Sequence, residues 1–180
     1  SYKGGVYDRS LTSAGVVPAA PDGEFATITY DDLRGVVRRL AAGFRSVGVD
    51  EDDRVALFAE TRMEWAHADL AVLAAGGVVT TVYPGSSTRQ VGRLLEDAGA
   101  TFVVVGDGDL LGQVAEAAPE SLSFAVSMND IAEGGSAAAE AADFDVLTLG
   151  DLHDRVSEAY DAAAYESWVD ARHPDHLASI

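Results

Sequence analysis

The stretch Arg54–Tyr83, RVALFAETRMEWAHADLAVLAAGGVVTTVY, decides the fold. Val55–Ala59 is a short apolar run, of the kind found in strands buried on both faces. Thr61 and Glu64 follow at capping-box spacing. The Thr hydroxyl can accept from the backbone N–H three residues on, and the Glu carboxylate can reach back to the N–H of the cap. Met63, Ala66, Leu70 and Leu73 recur at intervals of three and four, which puts them on one helical face. Gly76 and Gly77 then stop the helix, because glycine adopts the left-handed conformation without a Cβ penalty. Val78–Tyr83 is rich in β-branched and aromatic residues and suits a second strand. Two strands joined by a helix are expected to lie parallel with a right-handed crossover.

The same pattern extends in both directions. Upstream, Phe25–Ile28 reads as a short strand, and Thr29 caps a helix with Asp32 three residues on. Leu33, Val37, Leu40, Phe44 and Val47 form its apolar stripe, and Gly48 ends it. Downstream, Pro84 cannot donate to a sheet ladder and ends the second strand. Ser87 and Gln90 form another capping box, followed by Val91, Leu94, Leu95 and Ala98 on an inward face and Gly99 as the stop. Thr101–Val105 is the next apolar strand, Asp107–Ala118 a helix with Leu110, Leu111, Val114 and Ala118 inward, and Ser123–Ser127 a weaker strand. Helix and strand alternate throughout, which predicts the α/β class: a mostly parallel sheet with helices on both faces.

The flanks carry weaker signals. Ser1–Glu24 contains turn chemistry at Lys3-Gly4-Gly5 and Pro18–Gly23 and reads as extended surface segments. Residues 132–145, AEGGSAAAEAADFD, are low-complexity and acidic, and read as an exposed insertion. Val146–Leu149 is a candidate strand, Asp151–Ala164 a last amphipathic helix, and Tyr165–Pro174 turn-like. Leu177-Ala178-Ser179-Ile180 looks like the start of another strand. An unpaired apolar strand makes a poor domain end, so residues 1–180 read as one lobe of a longer chain. There is no initiator Met and no basic-then-apolar leader.

Composition narrows the functional classes. Apolar residues make up 48% of the chain, as in a globular protein. No apolar run approaches the ~20 residues of a membrane span. Thirty acids face twelve Lys and Arg, a formal charge of −18. That balance argues against nucleic-acid binding, which needs a basic footprint. It suits a protein adapted to strong salt, where the Debye length shrinks to ~3 Å at ~1 M and self-repulsion is screened. An ordinary acidic protein from an Ala- and Arg-rich genome is the plainer alternative. The chain has no Cys, which removes disulfides and thiolate chemistry.

The sequence holds no GxxxxGK[ST] loop, no dinucleotide-binding glycine fingerprint and no Gly-x-Ser-x-Gly elbow. Gly106-Asp107-Gly108 stands between strand and helix, but its acids would repel phosphate, and a simple turn is the better reading. His173 and His176 are split by Pro174 and lack a third metal ligand nearby. Arg34, Arg38, Arg39 and Arg45 lie off the apolar stripe of their helix, either as a phosphate-binding row or as a solvated face with local acid partners. Trp65 reads as a packing residue. The best candidate site is the loop Tyr83–Ser87. It lies at the carboxyl end of a central parallel strand, where open α/β sheets place ligands, and it opens a helix whose first N–H groups suit an anion.

Taken in order, these segments resemble the N-terminal part of AMP-forming acyl-CoA synthetases of the adenylate-forming superfamily. The resemblance begins at Ile28-Thr29-Tyr30-Asp31-Asp32-Leu33 and continues through Leu40–Phe44 and Val47-Gly48-Val49. Its most specific part is Asp53–Leu57, Glu64-Trp65, Ala74–Val79 and Val82-Tyr83-Pro84, followed by Gln90–Val105. It returns at His173–Ile180, where His176 departs from the usual acid. Spacing and the long second half most resemble long-chain fatty-acid–CoA ligases. A free-standing flavodoxin-like ligand-binding or interaction module is the alternative.

The resemblance implies a cytoplasmic enzyme using ATP, CoA and Mg²⁺ to activate a carboxylic acid as its acyl-adenylate and pass it to CoA. It also raises the expectation of a homodimer. The family's phosphate loop would follow Ile180, and its later catalytic motifs lie outside this chain. No catalytic or metal residue carries over, and the isolated chain is expected to be inactive with no cofactor bound. One set does carry over: Tyr83, Gly85 and Ser86, at the loop that in related synthetases packs near the nucleotide end of CoA. Pro84 stands where some members have glycine.

Overall fold

In the computed structural model the elements run β1 (Tyr2–Lys3), α1 (Ser10–Ser13), β2 (Phe25–Ala26), α2 (Tyr30–Ser46), β3 (Arg54–Phe58), α3 (Met63–Ala75) and β4 (Val78–Val82). They continue with α4 (Thr88–Ala98), β5 (Phe102–Val105), α5 (Gly108–Ala117), β6 (Phe124–Ser127), β7 (Asp145–Thr148), α6 (Leu149–Ser157) and α7 (Ala162–Asp170). The structure describes residues 1–131, 139–140, 142–157 and 161–180. Most of the acidic stretch 132–145 lies outside the described residues; within it, Ala139 and Phe144 are half-buried against the core. Among the described residues no helix is long and apolar enough to cross a membrane.

Five strands pair in the order β4-β3-β5-β6-β7, every pair parallel. The deciding stretch behaves as its sequence implies: Val55 pairs with Val79 and Phe58 with Val82, with α3 crossing between. Strand side chains alternate between two cores. Val55, Leu57, Val79, Val104 and Val126 face α2, α3 and α6, and Ala56, Phe58, Val82, Val103 and Val105 face α4 and α5. Both faces are covered, so the strands are near-continuous apolar runs. Thr29 caps α2 as expected, accepting from the Asp32 N–H at 3.1 Å while the Asp32 carboxylate accepts from the Thr29 N–H at 2.8 Å. That bond holds the Asp32 carboxyl below its usual range. Gly76 ends α3 at φ 98°.

Several expectations need correction. Leu94 and Ala118, read as inward, are exposed, Leu94 by 45% and Ala118 as the left-handed end of α5. Residues 1–24 are not surface segments throughout: Tyr2, Arg9, Ser10, Leu11 and Val17 are buried. The Ser10 N–H donates to the Met128 carbonyl at 3.1 Å, and its hydroxyl accepts from the Gly150 N–H at 3.3 Å, threading this segment between β6 and α6. The last helix, expected over 151–164, is two helices, α6 and α7, and residues 158–160 lie outside the described residues. The capping box at Thr61 does not form. Arg62 is the N-cap of α3, with no side-chain cap bond, and Glu64 turns inward.

Residues 177–180, expected to start a strand, make a single isolated parallel bridge, Val79 to Ser179. The Val79 N–H donates to the Ala178 carbonyl at 2.9 Å and the Ile180 N–H to the Val79 carbonyl at 3.1 Å. The tail therefore runs parallel to β4 on its outer edge.

Candidate functional site

The carboxyl edge of the sheet is built by the loops after β3, β4 and β5. After β4 the chain turns at Pro84-Gly85, and the Ser86 N–H donates to the Tyr83 carbonyl at 2.9 Å. Proline's fixed φ suits the first corner of such a turn. The Tyr83 ring folds over Gly85, where a Cβ would meet its Cε1 at 2.6 Å. Only glycine lets the ring lie that close. Gln113 of α5 pins the loop, donating from Nε2 to the Ser86 carbonyl at 2.8 Å. Tyr83 nonetheless remains 77% exposed.

Tyr83, Gly85 and Ser86 are thus brought together at the start of α4. The Ser87 N–H is spent on Gln90 Oε1 at 2.9 Å and the Ser86 N–H on Tyr83. The exposed Tyr83 ring presents an aromatic surface of the kind on which a planar base stacks. Gly106-Asp107-Gly108 is a helix cap, with the Asp107 carboxylate accepting from the Leu110 N–H at 3.0 Å.

Behind this edge lies a charged cluster that sequence reasoning missed. The Glu64 carboxylate, fully buried, accepts from Arg62 Nε at 2.7 Å and from Arg9 Nη1. Arg62 Nη1 also donates to the Gly106 carbonyl at 3.0 Å, tying the β3–α3 turn to the β5–α5 turn. The Tyr7 ring covers the Arg62 guanidinium at 3.9 Å. Burial pushes the Glu64 pKa up, but the hydrogen bond and charge of Arg62, with the bond from Arg9, outweigh it and hold the carboxyl below its usual range. One turn on, His67 is buried with Nδ1 against the Met63 carbonyl at 2.9 Å, and burial depresses its pKa. No local signal betrays the cluster, because Arg9 arrives from 55 residues away.

In the arginine row of α2, Arg34 pairs with Asp31 at 3.2 Å and Arg45 with Asp50 at 2.7 Å, local acid partners as the plainer reading has them, whereas Arg38 pairs with Glu166, 128 residues away. Among the described residues no three His, Cys, Asp or Glu side chains come together to hold a metal ion.

Fold and edge loop together define an open parallel α/β protein of the kind that takes ligands at its strand ends. A family profile described as "AMP-binding enzyme" matches residues 9–180, and the chain belongs to that family. It is 37% identical over 95 residues to a long-chain-fatty-acid–CoA ligase of Mycobacterium bovis, covering 53% of this chain and 16% of that protein. It is 31% identical over 127 residues to an acetyl-coenzyme A synthetase of Thiobacillus denitrificans, covering 68% of this chain and 19% of that protein. Among solved structures, the adenylation domain of a carboxylate reductase from Mycobacterium chelonae matches with a TM-score of 0.66 at 23% identity, covering 75% of this chain and 23% of that one. Coronafacic acid ligase from Pectobacterium brasiliense matches with a TM-score of 0.69 at 16% identity, covering 86% of this chain and 28% of that one. The chain spans less than a fifth of the length of these two curated relatives.

Proposed function

We propose that this chain is the N-terminal lobe of an AMP-forming acyl-CoA synthetase that uses ATP and Mg²⁺ to activate a long-chain fatty acid as its acyl-adenylate and transfers the acyl group to CoA. The observation that carries this reading is the family match running from residue 9 to residue 180. The similarity to the M. bovis ligase favours a long acyl chain. A second reading, a short acid such as acetate, draws on the acetyl-coenzyme A synthetase match, which covers more of the chain. Pyrophosphate release by the full-length parent, measured over carboxylic acids from acetate to hexadecanoate with and without CoA, separates the two. Release with acetate alone overturns the long-chain reading, and no release with any acid overturns both. The isolated lobe is expected to release none.

Within the parent, the exposed face of Tyr83 at the Gly85-Ser86 turn receives the adenine of CoA by stacking. Stacking on an aromatic side chain contributes ~1–3 kcal/mol. Tyr83→Ala in the parent should therefore raise the half-saturating CoA concentration about fivefold or more and leave ATP-dependent adenylate formation unchanged. An identical CoA titration for variant and wild type rules this role out.

The charge of −18 supports a protein that works in strong salt, and the family membership favours the cytoplasm. The thermal midpoint of this chain should rise as KCl is raised from the millimolar to the multimolar range, because screening removes self-repulsion. A flat midpoint over that range would remove the salt-adapted reading. The proposed homodimer is tested by light scattering in the same high-salt buffer, where a clean monomer at high concentration counts against it.

A further inference from the structure

The carboxyl-terminal part of the chain is attached unlike the rest. Helices α2, α3, α4 and α5 all bury side chains, whereas α7 buries none. Apart from the half-buried Tyr165 ring, which packs against the core, its fastenings are polar. The Glu166 carboxylate pairs with Arg38 of α2. The Tyr165 ring lies over the Arg38 guanidinium at 5.2 Å, and the Trp168 ring over that of Arg45 at 5.3 Å. Just past α7, Arg172 bridges Glu51 at 3.1 Å and Asp52 at 3.7 Å in the acidic turn before β3. The tail beyond is exposed and held to β4 by the two backbone bonds at Val79.

Beneath α7 is a groove of roughly 490 Å³, floored by Leu33, Val37, Leu70 and Leu73 of α2 and α3 and overhung by Tyr165 and Val169. The helix spans this space without filling it. Docking has a further cost: the Nε–H groups of Arg38 and Arg45 are sealed from water with no hydrogen-bond partner. An unmade bond from a charged donor opposes the docked state. Against it stand half-exposed ion pairs and cation–π contacts, each of which contributes little.

We propose that α7 and the tail 171–180 form a detachable strap that opens as a unit from the α2–α3 seam while the parallel sheet stays folded. Segments with few buried apolar contacts and exposed backbone open at the lowest free energy. Opening wets the two sealed guanidinium donors, bares the apolar groove and frees the outer edge of β4. Arg172 stands where helix and tail join and holds both to the acidic turn, which makes it a positioning residue for the edge strand.

Native-state hydrogen exchange on the intact chain tests this. The amides of residues 166–170 and of Ile180 should exchange about tenfold or more faster than those of β3 and β5, with little dependence on denaturant. Arg172→Ala should speed strap exchange about tenfold again and leave β3 and β5 unchanged, and Arg172→Lys should recover part of the protection. Wild-type strap amides that exchange at the rate and denaturant dependence of β3 overturn the proposal. So does an Arg172→Ala variant in which strap and sheet accelerate together.

Discussion

Glu64→Ala is expected to lower the unfolding free energy of this chain by about 3–5 kcal/mol, read from the denaturant midpoint at neutral pH. The substitution leaves the guanidinium groups of Arg9 and Arg62, 7% and 1% exposed at the side chain, without their shared counter-ion. A buried ion pair contributes little net stability as a pair, because desolvation offsets attraction; breaking one half is what destabilises. Arg9→Met, Glu64→Leu and Arg62→Met made together should therefore recover most of the loss. A Glu64→Ala variant within about 0.5 kcal/mol of wild type would mean that the cluster is open to water.

The same residues set the response to acid. Glu64 and His67 both have depressed pKa values in the fold, so the unfolded chain binds protons first and stability falls with pH. The contribution of His67 is whole above about pH 6.5 and is lost below it, and that of Glu64 is lost below about pH 4.3. Two successive declines are expected in unfolding free energy on acidification. His67 shares the upper one with His153, whose pKa burial also depresses. The lower one should be smaller in Glu64→Ala though not abolished, because the Asp32 carboxyl is depressed as well. A single decline shared by both proteins would remove the assignment to Glu64.

What the sequence disclosed follows from the range of each signal. The central strands β3 and β5 announce themselves because burial on both faces demands unbroken apolar runs, Val55–Phe58 and Phe102–Val105. The cap at Thr29 and the turn at Pro84-Gly85 are local, and local chemistry decides them. Thr61 and Glu64 carry the same local signature as Thr29 and Asp32, yet the carboxylate there is claimed by Arg62 and by Arg9, and the approach of Arg9 from 55 residues away is foretold by nothing local. Helix α3 misleads for another reason. It is apolar nearly all round, so its pattern cannot say which side meets the sheet. The fold puts the small Ala68, Ala71 and Ala75 with Val72 in the core and turns Leu70 outward, 42% exposed, to the groove. The placement of Tyr83 at a strand end was legible because it follows from topology. The capping of the Ser87 N–H by Gln90 was legible too, being a local box, whereas the bond from Gln113 of α5 to the Ser86 carbonyl was not, since its partners lie 27 residues apart.

Two glycines of α2 should respond in opposite directions to one substitution. Gly35→Ala places a methyl where nothing lies within 4 Å, and glycine within a helix is less stable than alanine by about 0.5–1 kcal/mol, so the variant should gain about that much. Gly43→Ala makes the same gain in helix propensity but sits where α2 crosses α6. Its Cβ would fall 2.6 Å from the Leu152 carbonyl oxygen and 2.7 Å from Leu152 Cγ. The nearer atom is backbone, so relief requires moving α6 itself, and overpacking of this kind costs ~1–3 kcal/mol. The clash outweighs the propensity, and Gly43→Ala should be net destabilising by about 1–2 kcal/mol. Thermal or denaturant midpoints of the two variants against wild type decide the matter. If Gly43→Ala were as stable as Gly35→Ala, α6 could not be packed on α2 at Leu152, and the face of the core closed by Leu149 and Leu152 would have to be built from other side chains.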